Sequence, residues 1–319
     1  MKVVQHNLNR QKEALFTTLE VCREKGVDII LLQEPYIGYL KDTDSYICIQ
    51  HSAYYAVPPT RTLSGLSYRP RVLTYIRKNS NLQFNPRYDI CNDQDLQVIE
   101  VLGVQEPYFI VNLYNEKQLN ATSTSTSSIR TIERLLLQIP LQKPTLLVGD
   151  FNLHHYWWNS AVQDNQAEKA TPLVNWLNLK RAKLLNDSNT IAQKGGTFYR
   201  SNLKSTSVID LAFEIGFKRT KWLDWDYLDS SGSDHEVITF KGQDNSTFKP
   251  TSTLRPLFNY KKANWGIFKE HFIANTRNLL RDLTTEEAIE LMLAGLEEAI
   301  YLSAEKAMPI LKTVDRSKP

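Results

Sequence analysis

The sequence predicts an α+β protein in which sheets and helices pack in layers, and three observations support this prediction. Short apolar runs typical of buried strands alternate with segments of helical periodicity between residues 1 and 245. The strand candidates are numerous and short, whereas the helix candidates are few. The chain of 319 residues, 42% hydrophobic and 23% charged, is also long enough to bury a sizeable core.

Strand and helix signals follow each other closely in the first part of the chain. Val3 and Val4 open a short strand, and residues 11–25 show helical spacing that ends at Gly26. Residues 29–32 are all apolar and are followed by Pro35, a pattern typical of a strand buried on both faces. Further strand candidates are residues 71–78, 96–103 and 108–114.

The second part of this region continues the same alternation. A Thr/Ser run at 122–128, interpreted as a flexible polar loop, precedes a helix candidate at 129–138. Residues 144–152 form an apolar strand that ends in polar residues, and a helix is predicted around 171–181. The last strands of this region are predicted near 197–200, 208–215 and 235–240.

The composition changes after residue 241, which predicts a domain boundary there. Residues 242–258 are polar and proline-bearing, as in a linker. Residues 259–319 are predicted to be a helical extension that contains an amphipathic helix at 284–304. The apolar stripe of that helix requires a partner, which is the main domain, another helix or a separate chain.

Composition excludes several classes of protein. A net charge of +3 is too small for a polybasic protein, so any nucleic-acid surface is local. The longest apolar runs fall short of 18 residues, which predicts no membrane-spanning helix and no membrane partner. Residues 1–10 lack a signal-peptide core, so we expect an intracellular protein that is not secreted. The three cysteines are far apart and form no CxxC motif, which fits a reducing compartment.

Polar side chains stand where the predicted apolar strands end, and a sheet would gather them in one pocket. Carboxylate and amide oxygens are the ligands that Mg²⁺ prefers, an imidazole can bind a phosphate oxygen, and an aspartate can accept a proton from water. Such a set suits metal-assisted hydrolysis of a phosphate ester. Each residue alone also has a structural explanation, such as a turn or a cap. The residues are Asn7, Glu34, Asp150, Asn152, Asp210, Asp234 and His235.

Six segments together resemble the endonuclease/exonuclease/phosphatase superfamily, which has the deoxyribonuclease-I-like fold. They occur in the order typical of the family and span about the first 240 residues. The resemblance implies a four-layer α/β/β/α sandwich with two packed mixed β-sheets over residues 1–241, followed by the C-terminal helical extension. The segments are QHNLNR (5–10), LLQEP (31–35), VNLYNE (111–116), VGDFN (148–152), VIDLAF (208–213) and GSDHEVI (232–238).

The resemblance implies a metal site that holds Mg²⁺, with Mn²⁺ as a substitute. Asn7 and Glu34 match the amide and the carboxylate of the family's metal site, and Glu34 matches its principal ligand. Asp234 matches a residue of the metal region.

The resemblance also implies a full set of catalytic residues. Tyr114 matches the tyrosine that touches the scissile phosphate. Asp150 matches the aspartate that positions or deprotonates the attacking water, and Asn152 matches the neighbour that binds a phosphate oxygen. Asp210 matches the aspartate that orients the final histidine, and His235 matches the histidine that stabilises the pentacoordinate phosphorane.

Within the superfamily the chain is most similar to endonuclease domains of non-LTR retrotransposons, especially fungal ones. That similarity implies DNA as the partner, a nuclear location and, in a full-length element, a reverse transcriptase domain after the linker. The printed sequence contains no Tyr-x-Asp-Asp motif of a reverse transcriptase.

Four residues are predicted to contact DNA, and each has a structural alternative. Arg71 lies in a basic stretch that also fits a solvated strand face. His154 belongs to an aromatic segment that would either stack on a base or pack under a loop; packing is favoured for Trp157 and Trp158. Thr197 and Arg200 lie in GGTFYR, which would form either a groove-probing hairpin or a plain turn.

The sequence thus predicts a divalent-metal-dependent DNA endonuclease that nicks one strand and leaves a 3′-hydroxyl. One alternative is a phosphodiesterase of the same fold that acts on an inositol phosphate or sphingomyelin. The other is a catalytically idle nucleic-acid-binding remnant.

Overall fold

The computed structural model describes most of the chain and divides it into two compact units, Met1–Thr247 and Phe248–Pro319. The residues that the structure describes are 1–60, 68–78, 80, 82–102, 104, 106–116, 131–138, 143–159, 162–199, 206–229, 232–244, 258–277 and 286–309.

Strands dominate the first unit and helices the second. The strands are β1 (Lys2–Asn7), β2 (Ile29–Gln33), β3 (Gly38–Leu40), β4 (Ser45–Ile47), β5 (Tyr54–Val57), β6 (Val72–Arg77), β7 (Gln83–Pro86), β8 (Leu96–Leu102), β9 (Tyr108–Tyr114), β10 (Thr145–Asp150), β11 (Lys183–Leu184), β12 (Phe198–Tyr199), β13 (Thr206–Ser207), β14 (Asp210–Ile215), β15 (Thr220–Leu228) and β16 (Val237–Asp244). The helices are α1 (Lys12–Glu24), α2 (Thr131–Gln138), α3 (Asp164–Glu168), α4 (Thr171–Leu179), α5 (Ser188–Lys194), α6 (Trp265–Thr276) and α7 (Glu286–Ala307).

Two six-stranded mixed sheets form the centre of the first unit. The first has the strand order β15-β16-β1-β2-β6-β5, and the second has the order β11-β14-β10-β9-β8-β7. The pairs β1–β2 and β9–β10 are parallel, and the other pairs within these sheets are antiparallel. Two short hairpins, β3–β4 and β12–β13, lie outside the main sheets.

The layers follow from the period-2 alternation of buried side chains along each strand. Val3 of β1 packs between the two sheets, whereas Val4 points to the opposite face and packs with Leu15 of α1. On the second sheet, Leu147 likewise packs outward against Leu135 of α2, together with residues of α4. The predicted four-layer α/β/β/α sandwich is therefore confirmed.

Most predicted elements are present, but several short strands and the nine-residue strand β15 were missed. The predicted helix at 11–25 is α1, and the predicted strand at 71–78 is β6. β15 was missed because its alternation is interrupted by a register shift between Leu223 and Asp226. The Thr/Ser run at 122–128 lies outside the described residues.

The second unit contains α6 and α7, which pack against each other. The ring centroids of Phe258 and Tyr301 are 5.7 Å apart, and the main-chain N–H of Asn264 donates to the carbonyl of Ala307 over 2.8 Å. The predicted helix at 284–304 thus has α6 as a packing partner. Most of the predicted linker, residues 245–257, lies outside the described part of the chain. Among the described residues, the structure contains no helix with the length and apolar character needed to cross a bilayer.

Gly149 in β10 allows the parallel strands β9 and β10 to approach closely. A Cβ atom at this position would stand 1.9 Å from the main-chain oxygen of Leu113, far inside van der Waals contact. We expect Gly149→Ala to lower the free energy of unfolding by at least about 3 kcal/mol, measured by urea denaturation. Gly232 is a matched control because it also has a positive φ, +86°, but nothing lies within 4 Å of its added Cβ. Gly232→Ala should cost only about 1 kcal/mol; equal costs would contradict this explanation.

Candidate active site

The ends of the central strands gather the predicted polar residues at one edge of the sandwich. β1 and β2 are parallel and end together at Asn7 and Gln33, with Glu34 next in the chain. β9 and β10 are also parallel, and Tyr114 is paired with Asp150 at their common end. β14 runs in the opposite direction and begins there, with Asp210 opposite Asp150.

Three buried residues form the centre of this site. Ligand atoms of Asp150, Asp210 and His235 all lie within 4.8 Å of one another. Their exposed fractions are 1%, 0% and 6%, so the cluster is removed from bulk water. The Nδ1 atom of His235 lies 2.8 Å from Oδ2 of Asp210, so this carboxylate orients the imidazole.

Asn7 and Asn152 hold the carboxylate of Asp150. Oδ2 accepts hydrogen bonds from Nδ2 of Asn7 at 2.8 Å and from Nδ2 of Asn152 at 3.0 Å. Oδ1 accepts from the main-chain N–H of Asn152 at 3.0 Å. Asn152 adopts a left-handed conformation with φ 47°, which asparagine tolerates better than most residues. This turn places the Asn152 side chain back over the carboxylate.

Burial and mutual charge shift the pKa values of the central pair. Burial and the negative charge of Asp210 raise the pKa of Asp150 to about 7. Burial lowers the pKa of His235, but the charge and hydrogen bond of Asp210, with the charge of Asp150, outweigh it and raise this pKa to about 9. Near neutral pH the site therefore holds a cationic imidazole beside a carboxyl group poised to exchange a proton.

Glu34 stands at the open side of the site. It has φ 42°, and its carboxylate is bound by Nη2 of Arg10 at 2.9 Å. Burial and the negative charge of Glu34 raise the pKa of Tyr114, so this phenol remains protonated at neutral pH. Arg10 was missed from the sequence; its only signal was its place in the QHNLNR segment.

The donor set fits a hard divalent cation. The Glu34 side chain is 15% exposed, and the carboxylates of Asp150 and Asp210 are buried oxygen donors of the kind that Mg²⁺ takes. Oδ1 of Asn152 is buried and has no hydrogen-bond partner in the described part of the chain. Such an unpaired acceptor is suited to a ligand or to water bound by a cation. Asp234 lies outside the three-residue cluster, and its carboxylate accepts from the Ser233 hydroxyl at 3.4 Å.

The predicted DNA contacts have different environments. The Arg71 guanidinium is bound by Asp95 and Glu116, and it lies 5.8 Å from the ring centroid of Tyr114. Its charge is therefore already compensated inside the protein.

Thr197 is fully buried. Its hydroxyl accepts from the main-chain N–H groups of Ile209 and Asp210, at 3.1 Å each. The structure therefore gives the Thr197 hydroxyl internal hydrogen-bond partners, and its contact with DNA stays a prediction.

The other two predicted contacts lie in loops. His154 is half-buried in the loop after β10. The predicted residue Arg200 lies outside the described residues, although β12 and β13 beside it do form a hairpin. In the aromatic segment, Trp158 is buried in the core around Phe213 and Trp157 packs against that core. The packing alternative is thus confirmed for both tryptophans.

His235 gives the metal-free protein a defined dependence of stability on pH. Its folded-state pKa of about 9 lies above its ordinary value of 6.5. The bound proton therefore stabilises the folded state fully below pH 6.5, and this stabilisation is lost as the pH rises through 9. We expect unfolding in the presence of a chelator to become easier by a few kcal/mol between pH 6.5 and 9, since one pKa unit corresponds to about 1.4 kcal/mol. Urea titrations of wild type and His235→Ala would check this, and equal slopes in the two proteins would contradict it.

Comparisons with known proteins agree with this fold. Residues 108–239 match a sequence-family model described as Endonuclease-reverse transcriptase. A comparison with curated proteins finds no match.

Several solved structures have the same fold. The chain is similar to the endonuclease domain of TRAS1, a telomere-specific non-LTR retrotransposon, with 18% identity, a TM-score of 0.57, and coverage of 77% of this chain and 99% of that chain. It is similar to the catalytic domain of Xenopus laevis APE2, with 17% identity, a TM-score of 0.52 and coverage of 78% and 94%. It is also similar to the AP endonuclease LMAP of Leishmania major, with 10% identity, a TM-score of 0.50 and coverage of 77% and 88%. These findings agree with the resemblance seen in the sequence: the chain has the fold of these endonucleases, and residues 108–239 match the Endonuclease-reverse transcriptase family model.

Proposed function

We propose that this chain is a divalent-metal-dependent DNA endonuclease, derived from a retrotransposon, that nicks one strand and leaves a 3′-hydroxyl. The observation that carries the proposal is the buried cluster of Asp150, Asp210 and His235 beside the carboxylate of Glu34. The match to an endonuclease-reverse transcriptase family supports the choice of DNA as substrate.

Glu34 is the principal residue that would hold the cation, together with Asn7 and Asp234. The bound cation, Mg²⁺ or Mn²⁺, supplies positive charge that neutralises the phosphate. The Arg10 guanidinium donates to the Glu34 carboxylate at 2.9 Å, so it fixes the orientation of this carboxylate when no cation is bound.

Asp150 accepts the proton of the attacking water. Its two oxygens are held by Asn7 and Asn152, which fixes the direction in which the proton is taken. Its pKa of about 7 is near the value at which a general base is most effective at neutral pH.

His235, Asn152 and Tyr114 stabilise the phosphate as its charge develops. The imidazolium of His235, oriented by Asp210, donates to a non-bridging oxygen, and the amide of Asn152 lies beside it. Tyr114 keeps its proton because its pKa is raised by burial, so its hydroxyl positions the phosphate or assists the leaving oxygen.

The DNA surface and the cellular context are part of the same proposal. His154, in the loop after β10, and Arg200, beside the β12–β13 hairpin, would contact the DNA backbone. A reverse transcriptase domain would be the partner in a full-length element. A DNA substrate further implies a nuclear location, which imaging of the tagged protein in cells would test.

A plasmid-nicking assay tests the proposed function. Supercoiled plasmid is incubated with the full chain, with Mg²⁺ or with a chelator, and with Glu34→Ala in parallel. We expect conversion to open circles only with the cation, and a loss of at least about a hundredfold in Glu34→Ala. Glu13→Ala, a change at an exposed position of α1, is the matched control and should nick normally.

The other outcomes separate the alternatives. Hydrolysis of an inositol phosphate or sphingomyelin without nicking would show that the substrate is a non-DNA phosphodiester. Retention on a DNA column without metal-dependent cleavage would favour a catalytically idle binding remnant.

A further inference from the structure

We propose that three buried amides, those of Asn112, Gln33 and Gln5, are positioning residues that fix the carboxylate of Asp210 and, through it, the imidazole of His235. We call these three residues the amide chain. They lie on β9, β2 and β1, so the amide chain joins the two sheets. This inference rests on the proposed function because it concerns the same catalytic pair.

The first amide of the chain has only one favourable orientation. Nδ2 of Asn112 lies 3.3 Å from the main-chain oxygens of both Leu32 and Leu73. Because carbonyl oxygens only accept hydrogen bonds, the amino group must face them. Oδ1 of Asn112 therefore faces the other way, where it accepts from Nε2 of Gln33 at 2.7 Å.

The orientation of Asn112 determines those of the next two amides. Because Nε2 of Gln33 donates to Asn112, Oε1 of Gln33 accepts from Nε2 of Gln5 at 2.9 Å. The second hydrogen on Nε2 of Gln5 then points to Oδ1 of Asp210, also at 2.9 Å. The chain thus delivers a hydrogen-bond donor to a carboxylate that has no exposed surface.

The unpaired oxygen of Gln5 supports this reading. Its Oε1 is buried and has no partner among the described residues, which costs free energy. Turning the amide over would place this oxygen against Oε1 of Gln33 and against the carboxylate of Asp210. The two hydrogen bonds made by Nε2 therefore decide the orientation, and Gln5 keeps it although its own oxygen stays unpaired.

The consequence for the catalytic pair is geometric. Gln5 holds Oδ1 of Asp210, which leaves Oδ2 for Nδ1 of His235 at 2.8 Å. The main chain at Asp210 is fixed separately by the Thr197 hydroxyl. The amide chain therefore sets the rotation of the carboxylate, and with it the direction in which Nε2 of the imidazole points.

The test uses substitutions that remove the amides but keep the side-chain length. Gln33→Met interrupts the amide chain one residue away from Asp210, and Gln5→Met removes the donor itself. Thr145→Val is the control: Thr145 is an equally buried polar residue at the start of β10, and its hydroxyl donates to the carbonyl of Lys143, away from the amide chain. Two readouts are taken on the full chain, the Nδ1–H proton resonance of His235 in the histidine-labelled protein, and kcat and KM for nicking.

We expect Gln5→Met to lower kcat by about ten- to a hundredfold with little change in KM, as loss of a hydrogen bond to a charged group predicts. Gln33→Met should lower kcat in the same direction by a smaller factor. Both should shift the Nδ1–H resonance, whereas Thr145→Val should leave the resonance and kcat unchanged.

The resonance separates this inference from the proposed function because it is measured without DNA or cation. If the wild type fails to nick DNA, the proposed function fails, and a shifted resonance in Gln33→Met still supports the positioning role. An unshifted resonance in folded Gln33→Met would overturn the inference, whether or not the protein nicks. If Gln5→Met does not fold, the resonance in Gln33→Met alone tests the inference.

Discussion

Replacement of His235 by alanine is expected to lower the rate of plasmid nicking by about three orders of magnitude, because it removes a preorganised cationic donor from a buried site. The imidazole is 6% exposed, and the charge and hydrogen bond of Asp210 help raise its pKa to about 9. It is therefore positively charged at neutral pH, where negative charge develops on the phosphate. The loss should fall on kcat, measured from the initial rate of open-circle formation at saturating plasmid.

Two comparisons make this result specific. His271→Ala changes an exposed histidine of α6 and should nick as fast as the wild type. Asp210→Ala should resemble His235→Ala, since the imidazole would lose both its orienting hydrogen bond and the charge that stabilises its proton. If His235→Ala retained more than about a tenth of the wild-type rate, a role for this residue in stabilising the phosphate would be ruled out.

The sequence was sufficient to predict the layers and the centre of the site, because both depend on local patterns. An apolar run followed by a polar residue indicates a strand and its end, as at Val148 and Asp150. Parallel strands bring such ends to one edge, so the clustering of Asp150 with Asp210 follows once the strands are paired. The alternation that identifies a half-buried strand failed in β15, where a bulge breaks it.

The residues that contact a given side chain inside the protein could not be predicted from the same patterns. Arg71 lies in a basic stretch of sequence, but the carboxylates that bind it, Asp95 and Glu116, come from other parts of the chain. Thr197 follows two glycines in a segment typical of an exposed turn. Its hydroxyl is nevertheless buried, where it accepts from the main-chain N–H groups of Ile209 and Asp210. Such contacts join residues that are distant in sequence, so they cannot be predicted from local composition.

Replacement of Asp150 by alanine is expected to abolish nicking, with a loss of about 10³- to 10⁴-fold, because the general base and the position of the attacking water are both lost. No other described carboxylate lies opposite Asn7 and Asn152 in the same geometry. The rate should be measured with plasmid over a wide range of protein concentration, beside the wild type. Asp164→Ala, at an exposed position in α3, is the control that should retain activity.

The same substitution, Asp150→Ala, should also make the metal-free protein more stable relative to the wild type as the pH rises. Burial and the charge of Asp210 raise the pKa of Asp150 from 3.8 to about 7, so the folded metal-free protein retains a proton that the unfolded chain has lost. That stabilisation is complete below about pH 4 and is lost as the pH rises through 7. Relative to the wild type, Asp150→Ala should therefore gain a few kcal/mol between pH 4 and 7 in the presence of a chelator. A difference in unfolding free energy that stays constant over this range would show that Asp150 ionises normally, and it would then be a weaker base than its burial implies.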